Sequence, residues 1–185
     1  MADVSLKTTT QVVFADHAGD FAGGADAINS MEVGTPTDVQ IIMSGVSDGS
    51  ARQSAKVDLG ATRPEAYSVH AAFEYSPTHT IGAVTTLYWS PSPQTTAANA
   101  NMGNVNGVDS PYTGYVNNVS DSVKQLNRIG NYTVASGTLG HGFVGIFSPP
   151  ERYGSLVVFN NGGGSIIHSG NQLHIVFDPI VTQVV

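Results

Sequence analysis

An alternation of apolar and polar residues with a period of two recurs in short runs along this chain and constrains its fold more than any other feature. In the run AYSVHAAFEY, the odd-numbered residues from Tyr67 to Tyr75 are apolar and point one way. Ser68, His70 and Glu74 point the other way. Successive side chains of a strand face opposite sides, so the run predicts a strand with one buried face.

Similar runs predict further strands. In IGAVTTLYW (81–89) the residues that share a face with Trp89 are apolar or Thr, and in QLHIVFDPIV (172–181) Leu173, Ile175 and Phe177 point inward while His174 and Asp178 point outward. Two runs, HGFVGIF (141–147) and SLVVF (155–159), are apolar at most positions and predict more fully buried strands. Weaker candidates are TQVVFA (10–15), DVQIIM (38–43), RQSAKVDL (52–59) and NYTVA (131–135).

Turn-forming Gly, Pro, Asp and Ser residues separate these runs. A helix is suggested only by SDSVKQLNRIG (120–130), where Ser120 is the candidate N-cap, and the segment from Leu126 to Val134 is equally compatible with a strand. Many short strands without alternating helices predict an all-β protein. The expected architecture is an antiparallel two-sheet sandwich of the jelly-roll type, with at most one short helix.

The length of 185 residues fits a single domain over residues 1–185. Residues 1–10, in which Val4 and Leu6 are the sizeable apolar side chains after Met1, are a candidate arm that adds a strand to a neighbouring molecule. They are equally compatible with a first strand of the body or a frayed end. Residues 90–114 are rich in Pro, Asn, Gly and Ser and predict a long loop, which in a compact domain is usually functional or mobile.

Charged residues make up 11% of the chain, against about 25% in an average soluble protein. Either the surface is neutral and polar, or neighbouring subunits cover much of it. The seven Lys and Arg residues form no basic patch, so we expect no nucleic-acid partner. The absence of cysteine excludes thiol chemistry, and the sequence shows neither a secretory signal nor an apolar run long enough for a membrane span.

Two short motifs resemble catalytic or metal sites. Gly45-Val-Ser47-Asp-Gly49 matches the nucleophile-elbow pattern, which requires a helix after the serine, and no convincing helix follows it. Asp16, His17, Asp20 and Asp26 lie in a glycine-rich stretch but supply too few ligands for zinc or calcium. We interpret both motifs as turns or loops and predict no catalytic, cofactor-binding or metal-binding residue.

Three other sets of residues are candidates for structure or contact. If the strands that carry them pair, His70, Glu74, His174 and Asp178 would cluster on one face and bind a cation or act as a pH-sensitive contact. Glu151, Arg152 and Tyr153 follow a double proline and predict a structural corner in which the charged pair satisfies exposed backbone groups or bonds locally, and Tyr153 closes the end of the sandwich. Tyr112, Tyr115 and Trp89 flank the long loop and are either core and interface anchors or part of a sugar groove.

The segments VSLKTTTQVVFADHAGDF, GFVGIFSPPERYGSLVVFNN and LHIVFDPIV, together with the region from Asp38 to Tyr75, resemble small structural proteins encoded beside tailed-phage capsid genes. The resemblance implies a head decoration (cement) protein: a non-enzymatic jelly roll on the outer capsid, often a trimer. The implied partners are the major capsid protein and further copies of the chain, and the implied location is the virion, after assembly in the host cytoplasm. Possible interface residues are Val4, Leu6, Tyr112 and Tyr115. The alternative is a carbohydrate-binding jelly-roll module of a phage head or tail, using the loop from Asn99 to Tyr115.

Overall fold

The computed structural model describes residues 10–15, 35–135, 138–167 and 173–181. In chain order the strands in these ranges are β1 (Val12–Ala15), β2 (Thr37–Gln40), β3 (Ala51–Gln53), β4 (Val57–Asp58), β5 (Ala66–Glu74), β6 (Val84–Ser92), β7 (Ser110–Tyr112), β8 (Asn127–Thr133), β9 (Leu139–Phe147), β10 (Tyr153–Asn161) and β11 (His174–Ile180). One short helix, α1 (Val119–Ser122), continues into a 3₁₀ turn (Val123–Gln125), and a second 3₁₀ turn spans Met102–Asn104.

The strands form two sheets, one five-stranded in the order β2-β1-β11-β5-β9 and one six-stranded in the order β7-β3-β10-β6-β8. Strand β4 pairs with one end of β10. Neighbouring strands are antiparallel except β1 and β2, which are parallel. Without β2, β4 and β7, the eight remaining strands follow the jelly-roll order, with the first, eighth, third and sixth in one sheet and the second, seventh, fourth and fifth in the other. The predicted all-β two-sheet sandwich is therefore confirmed.

The main core lies between the two sheets, where the alternating runs place their apolar residues. The inward residues of β5 from Tyr67 to Phe73 are buried, as are Tyr75 just after this strand and Leu87 and Trp89 of β6. Trp89 packs against Phe177, with ring centroids 5.8 Å apart. Each such side chain contributes roughly 1.5–3 kcal/mol when it leaves water, so this layer supplies most of the drive to fold.

Strand β9 differs from the sequence expectation. The run HGFVGIF predicts a largely buried strand, but β9 lies at an edge of the five-stranded sheet, and Phe143 and Ile146 are 58% and 65% exposed. Register explains the difference, because glycines lie opposite Val69, Ala71 and Phe73, and only Phe147 adds a large inward side chain, which is buried. A β-bulge places both Phe143 and Ile146 on the outward face. In contrast, β10 is central, and Ser155 to Val158 are buried as expected.

The segment expected to be a long loop is an ordered insertion, residues 93–126, that packs on the outer face of the six-stranded sheet. A second apolar cluster joins them, formed by Ala51, Val105, Tyr112, Val123, Leu126 and Val157. The expected helix is shorter than the sequence suggested: Asn118 caps α1 in place of Ser120, and the chain enters β8 at Asn127. In the ranges that the structure describes, no helix is long and apolar enough to cross a membrane.

Candidate interaction surfaces

The corner formed by Glu151, Arg152 and Tyr153 joins two strands. Arg152 binds Asp58 of β4 through two hydrogen bonds, Nε to Oδ1 at 2.7 Å and Nη2 to Oδ2 at 2.6 Å. These bonds hold the pKa of Asp58 below its usual value. The guanidinium also lies 5.0 Å from the centroid of the Tyr153 ring. The expected local pairing with Glu151 is therefore wrong: Glu151 is exposed, and Arg152 instead bonds across 94 residues of sequence.

Lys56 fixes the beginning of the insertion to the sandwich. Its ammonium nitrogen lies 2.9 Å from Ser92 Oγ, and 3.1, 2.7 and 2.9 Å from the carbonyl oxygens of Gln94, Thr96 and Asn99. Burial lowers the pKa of Lys56. One cation thus satisfies several carbonyl groups that no strand pairs, and this explains how a sequence rich in Pro, Asn and Ser is held in one conformation.

Polar side chains of β3 hold the other end of this segment. Arg52 Nε donates to Asp109 Oδ1 at 2.7 Å, and the same oxygen accepts the Ile42 backbone N–H at 3.0 Å. Gln53 donates to Asn106 Oδ1 and, at 2.8 Å, to Ser110 Oγ. The insertion is consequently fixed to the sheet by directed bonds as well as by its apolar cluster.

The aromatic residues beside the insertion separate into buried and exposed members. Tyr112, predicted as an interface residue, is buried in the cluster under the insertion, and its hydroxyl donates to the Gly103 carbonyl at 2.6 Å. Burial raises the pKa of Tyr112 to about 12. Trp89 is fully buried in the main core. Tyr112 and Trp89 therefore cannot stack on a sugar or a partner, while Tyr115 is 46% exposed. Val4 and Leu6, the other predicted interface residues, lie outside the described residues.

Ser47 lies in a turn and not in a nucleophile elbow. Gly45 and Gly49 on either side of it have φ of +82° and +75°, which are left-handed values that reverse the chain. The Ser47 hydroxyl lies 3.0 Å from Ser50 Oγ, and within the described residues no histidine bonds to it. Asp48 accepts the Gly163 N–H at 2.9 Å, so the motif ties this turn to the end of β10.

The strands β5 and β11 do pair, and this brings part of the predicted histidine cluster together. Ser68 Oγ lies 2.9 Å from His70 Nε2, and Asp178 Oδ2 lies 3.9 Å from the same nitrogen. A catalytic triad needs the hydroxyl and the carboxylate on different ring nitrogens, so this group does not have triad geometry. Asp178 also accepts a hydrogen bond from Gln11.

Glu74 and His174 lie farther along the same strands, opposite Leu139 and Ala72 respectively. The described ranges contain no group of three His, Asp or Glu residues placed to hold a metal ion. The other candidate metal ligands, Asp16, His17, Asp20 and Asp26, lie outside those ranges.

The exposed end of the histidine cluster belongs to a surface that we call the outer-face patch: Phe143 and Ile146 of β9 with Ser68 and His70 of β5. These four residues share the outward side of the five-stranded sheet. The His70 and Phe143 rings meet edge to face, with centroids 5.6 Å apart. Val13 and Val176 lie on the same side of this sheet but are fully buried. The outer face of this sheet is therefore covered at these two residues and exposed at the patch. Phe143 and Ile146, both more than half exposed, make the patch a candidate interaction surface.

A second exposed apolar feature is the insertion tip, residues Tyr115 to Asn118. Val116 and Asn117 have φ of +55° and +57°, and the Asn118 N–H bonds to the Tyr115 carbonyl at 3.0 Å. Positive φ at both central residues defines a type I′ turn, which favours Asn and Gly. A β-branched residue at positive φ is strained, yet Val116 occupies this position with 97% of its surface exposed.

Several hydrogen bonds hold this strained tip rigid. The Tyr115 N–H donates to Ser122 Oγ at 2.8 Å, and Asn104 Nδ2 donates to the Gly114 carbonyl at 2.7 Å. Asn118 accepts the Asp121 N–H through its side chain and so caps α1. The tip is therefore presented in one conformation before any partner arrives, which lowers the entropy lost on binding.

The sequence carried only weak signals for these two surfaces. Phe143 and Ile146 resembled core residues, and their spacing of three would place them on opposite faces of a regular strand. A β-bulge at Val144 brings both to the outward face, and the sequence gives no sign of it. The Val-Asn pair of the tip is not a typical turn dipeptide, so its exposure could not be read from composition.

No family model matches the chain, and comparisons with curated proteins and with solved structures also found no match.

Proposed function

We propose that this protein is a non-enzymatic structural component of a tailed-phage virion, which decorates the capsid and stabilises it by binding the coat-protein lattice. The observation that carries the proposal is the presence of exposed apolar groups on opposite outer faces of one rigid jelly roll. A lattice component must contact its neighbours on more than one side. The outer-face patch and the insertion tip provide such contacts from the five-stranded and the six-stranded side.

The charge of the chain supports the same proposal. Only 11% of its residues are charged, so few ions would have to be desolvated at a contact. Individually weak neutral contacts become strong when they are repeated over a lattice, because each additional contact forms at high effective concentration. The bonds from Lys56, Arg52 and Gln53 keep the insertion in place, so little ordering would accompany binding.

Co-sedimentation tests this proposal directly. The purified chain is mixed with assembled heads and, separately, with unassembled coat protein, both produced from the same genome as the chain. We expect saturable binding to the heads and none to the free coat protein, since the lattice supplies the repeated contacts. A chain that ignores assembled heads at saturating concentration contradicts the proposal.

Stabilisation is measured on the same particles. Heads with and without the bound chain are heated in steps, and release of packaged DNA is followed with an intercalating dye. Heads that carry the chain should release DNA at a higher temperature than bare heads. An unrelated acidic protein of similar size serves as the control, and equal release temperatures in all three samples would refute a stabilising role.

A further inference from the structure

We infer that a pocket at the edge of the sandwich binds an oxyanion, the phosphate or carboxylate group of a small molecule. The pocket has a volume of about 230 Å³ and is lined by residues 44–47, residues 50–52 and Pro111. Pockets that enclose a whole drug-sized ligand measure about 300–1,000 Å³, so this one suits a single polar group. Binding here requires neither a capsid nor a second copy, so the inference does not depend on the proposed function.

The walls of the pocket come from both sheets. One wall is the chain that leaves edge strand β2, and the other is β3 with edge strand β7, where Arg52 lies opposite Pro111. Asp109 Oδ1 joins the two walls, because it accepts both the Ile42 N–H at 3.0 Å and Arg52 Nε–H at 2.7 Å. The pocket is therefore held open before a ligand arrives, and binding would cost little ordering.

The Arg52 guanidinium supplies a positive charge and unused hydrogen-bond donors. Its side chain is 16% exposed, and its Nε–H is taken by Asp109. In the part of the chain that the structure describes, no group accepts from its terminal nitrogens Nη1 and Nη2, and neither is a buried atom without a partner. Both nitrogens are consequently open to solvent. Their planar arrangement of N–H groups matches the paired oxygens of a carboxylate or a phosphate.

Two serine hydroxyls add a donor to the same pocket. Ser47 Oγ and Ser50 Oγ lie 3.0 Å apart, so one hydroxyl donates to the other and the second hydrogen remains available. A guanidinium can only donate, and it cannot accept a hydrogen bond from a ligand. The group that satisfies these donors together must be rich in acceptors, which favours an oxyanion over a cation or an apolar group.

The carboxylates around the pocket have partners of their own. Asp109 accepts the two bonds that join the walls, and Asp48 accepts the Gly163 N–H at 2.9 Å. Asp109 offsets part of the Arg52 charge without occupying its terminal nitrogens. We therefore expect an anion to bind in the millimolar range and more weakly as the salt concentration rises.

An anion titration followed by heteronuclear NMR tests the site. Inorganic phosphate, and acetate in a separate sample, is added up to about 50 mM at constant pH and constant ionic strength. At least one of the two anions should cause saturable shifts at the Ser47 and Ser50 amides and at Arg52 Nε–H. Arg152 is the internal comparison, because Asp58 occupies two of its nitrogens, and its Nε–H should not shift. Shifts that do not saturate with either anion, or equal shifts at Arg152, overturn the inference.

Two variants identify the donors. Ser47→Ala removes a hydroxyl from an exposed turn, and Arg52→Lys keeps a cation beside Asp109 but removes the planar group. Each should raise the anion concentration at half-saturation by about fivefold or more. Ser120→Ala, at an exposed serine that does not line the pocket, should bind as wild type does.

The amides of residues 93–126 show whether each variant keeps its fold. If Arg52→Lys loosens this insertion, Ser47→Ala decides the test alone. Unchanged anion binding in either well-folded variant, or an equal loss in Ser120→Ala, overturns the inference.

Discussion

Gly154 shows how one residue type is required by a neighbour in the core. A Cβ atom at this position would overlap the indole ring of Trp89, which is fully buried and cannot move aside. We therefore expect Gly154→Ala to lower the free energy of unfolding by about 1–3 kcal/mol, the usual cost of overpacking. Urea unfolding followed by Trp fluorescence measures the loss.

Gly142→Ala is the matched control for this substitution. A Cβ at Gly142 would lie 3.8 Å from Tyr132 Cε2, an ordinary van der Waals distance. The unfolding free energy should change by less than about 1 kcal/mol, and towards greater stability, since alanine restricts the unfolded chain more than glycine does. An equal loss in the two variants would show that the overlap with Trp89 is not the cause.

A substitution of Val116 should raise the free energy of unfolding, whereas Gly154→Ala should lower it. Asparagine tolerates positive φ far better than valine, so Val116→Asn should raise the free energy of unfolding by roughly 1 kcal/mol. Val108→Asn is the comparison, because Val108 is also an exposed valine, with 50% of its surface exposed, but is not among the residues at positive φ. Only the first variant should unfold at a higher denaturant concentration. A similar gain in both would attribute the effect to surface polarity and not to strain.

The Arg152–Asp58 pair predicts a dependence on pH. Its hydrogen bonds lower the pKa of Asp58 in the folded state, so the ionised carboxylate stabilises the fold above the usual pKa of 3.8. That stabilisation is lost as the pH falls through the lowered folded-state value. Asp58→Asn should therefore be less stable than wild type at pH 7 by a small amount, with the difference vanishing well below pH 4 in thermal unfolding. Glu151→Gln should match wild type throughout, because Arg152 does not bond to Glu151.

At the scale of elements, the sequence predicted strands whose pattern and position agreed. Strands β5 and β6 have one apolar face and lie inside their sheets, so the alternation identified both the strand and its buried side. The prediction of a largely buried β9 failed because Phe143 and Ile146 of HGFVGIF point outward, while its inward positions hold two glycines and the buried Phe147. Inward Gly140 is needed because a Cβ there would overlap the Tyr132 hydroxyl of β8. A local pattern cannot reveal such a contact between elements distant in sequence.

Proline limited the prediction of strand ends. The predicted strand IGAVTTLYW ends at Trp89, yet β6 continues through Pro91 to Ser92. The predicted run QLHIVFDPIV already included Pro179, which lies within β11. Because a residue without an N–H is tolerated near the end of a strand, proline there does not mark the boundary.

The first part of the insertion, residues 93–99, is held to the sandwich by the Lys56 side chain, and this contact can be tested. Lys56→Met keeps most of the apolar stem and removes the ammonium group that binds the carbonyls of Gln94, Thr96 and Asn99. We expect hydrogen exchange of amides in residues 93–99 to accelerate by about tenfold or more, while the strands of the sandwich exchange as before. Lys124→Met, which removes an exposed ion pair, should leave these amides unchanged. Uniform acceleration over the whole chain would indicate global destabilisation instead.

At the scale of the whole molecule, the candidate surfaces depended on topology. Tyr112 and Tyr115 are three residues apart and equivalent by composition, but the insertion buries the first and exposes the second. The tip and the patch lie on opposite faces only because β6, β8 and β10 form one sheet while β5, β9 and β11 form the other. The sequence therefore predicted a charge-poor sandwich but not which of its apolar residues are exposed.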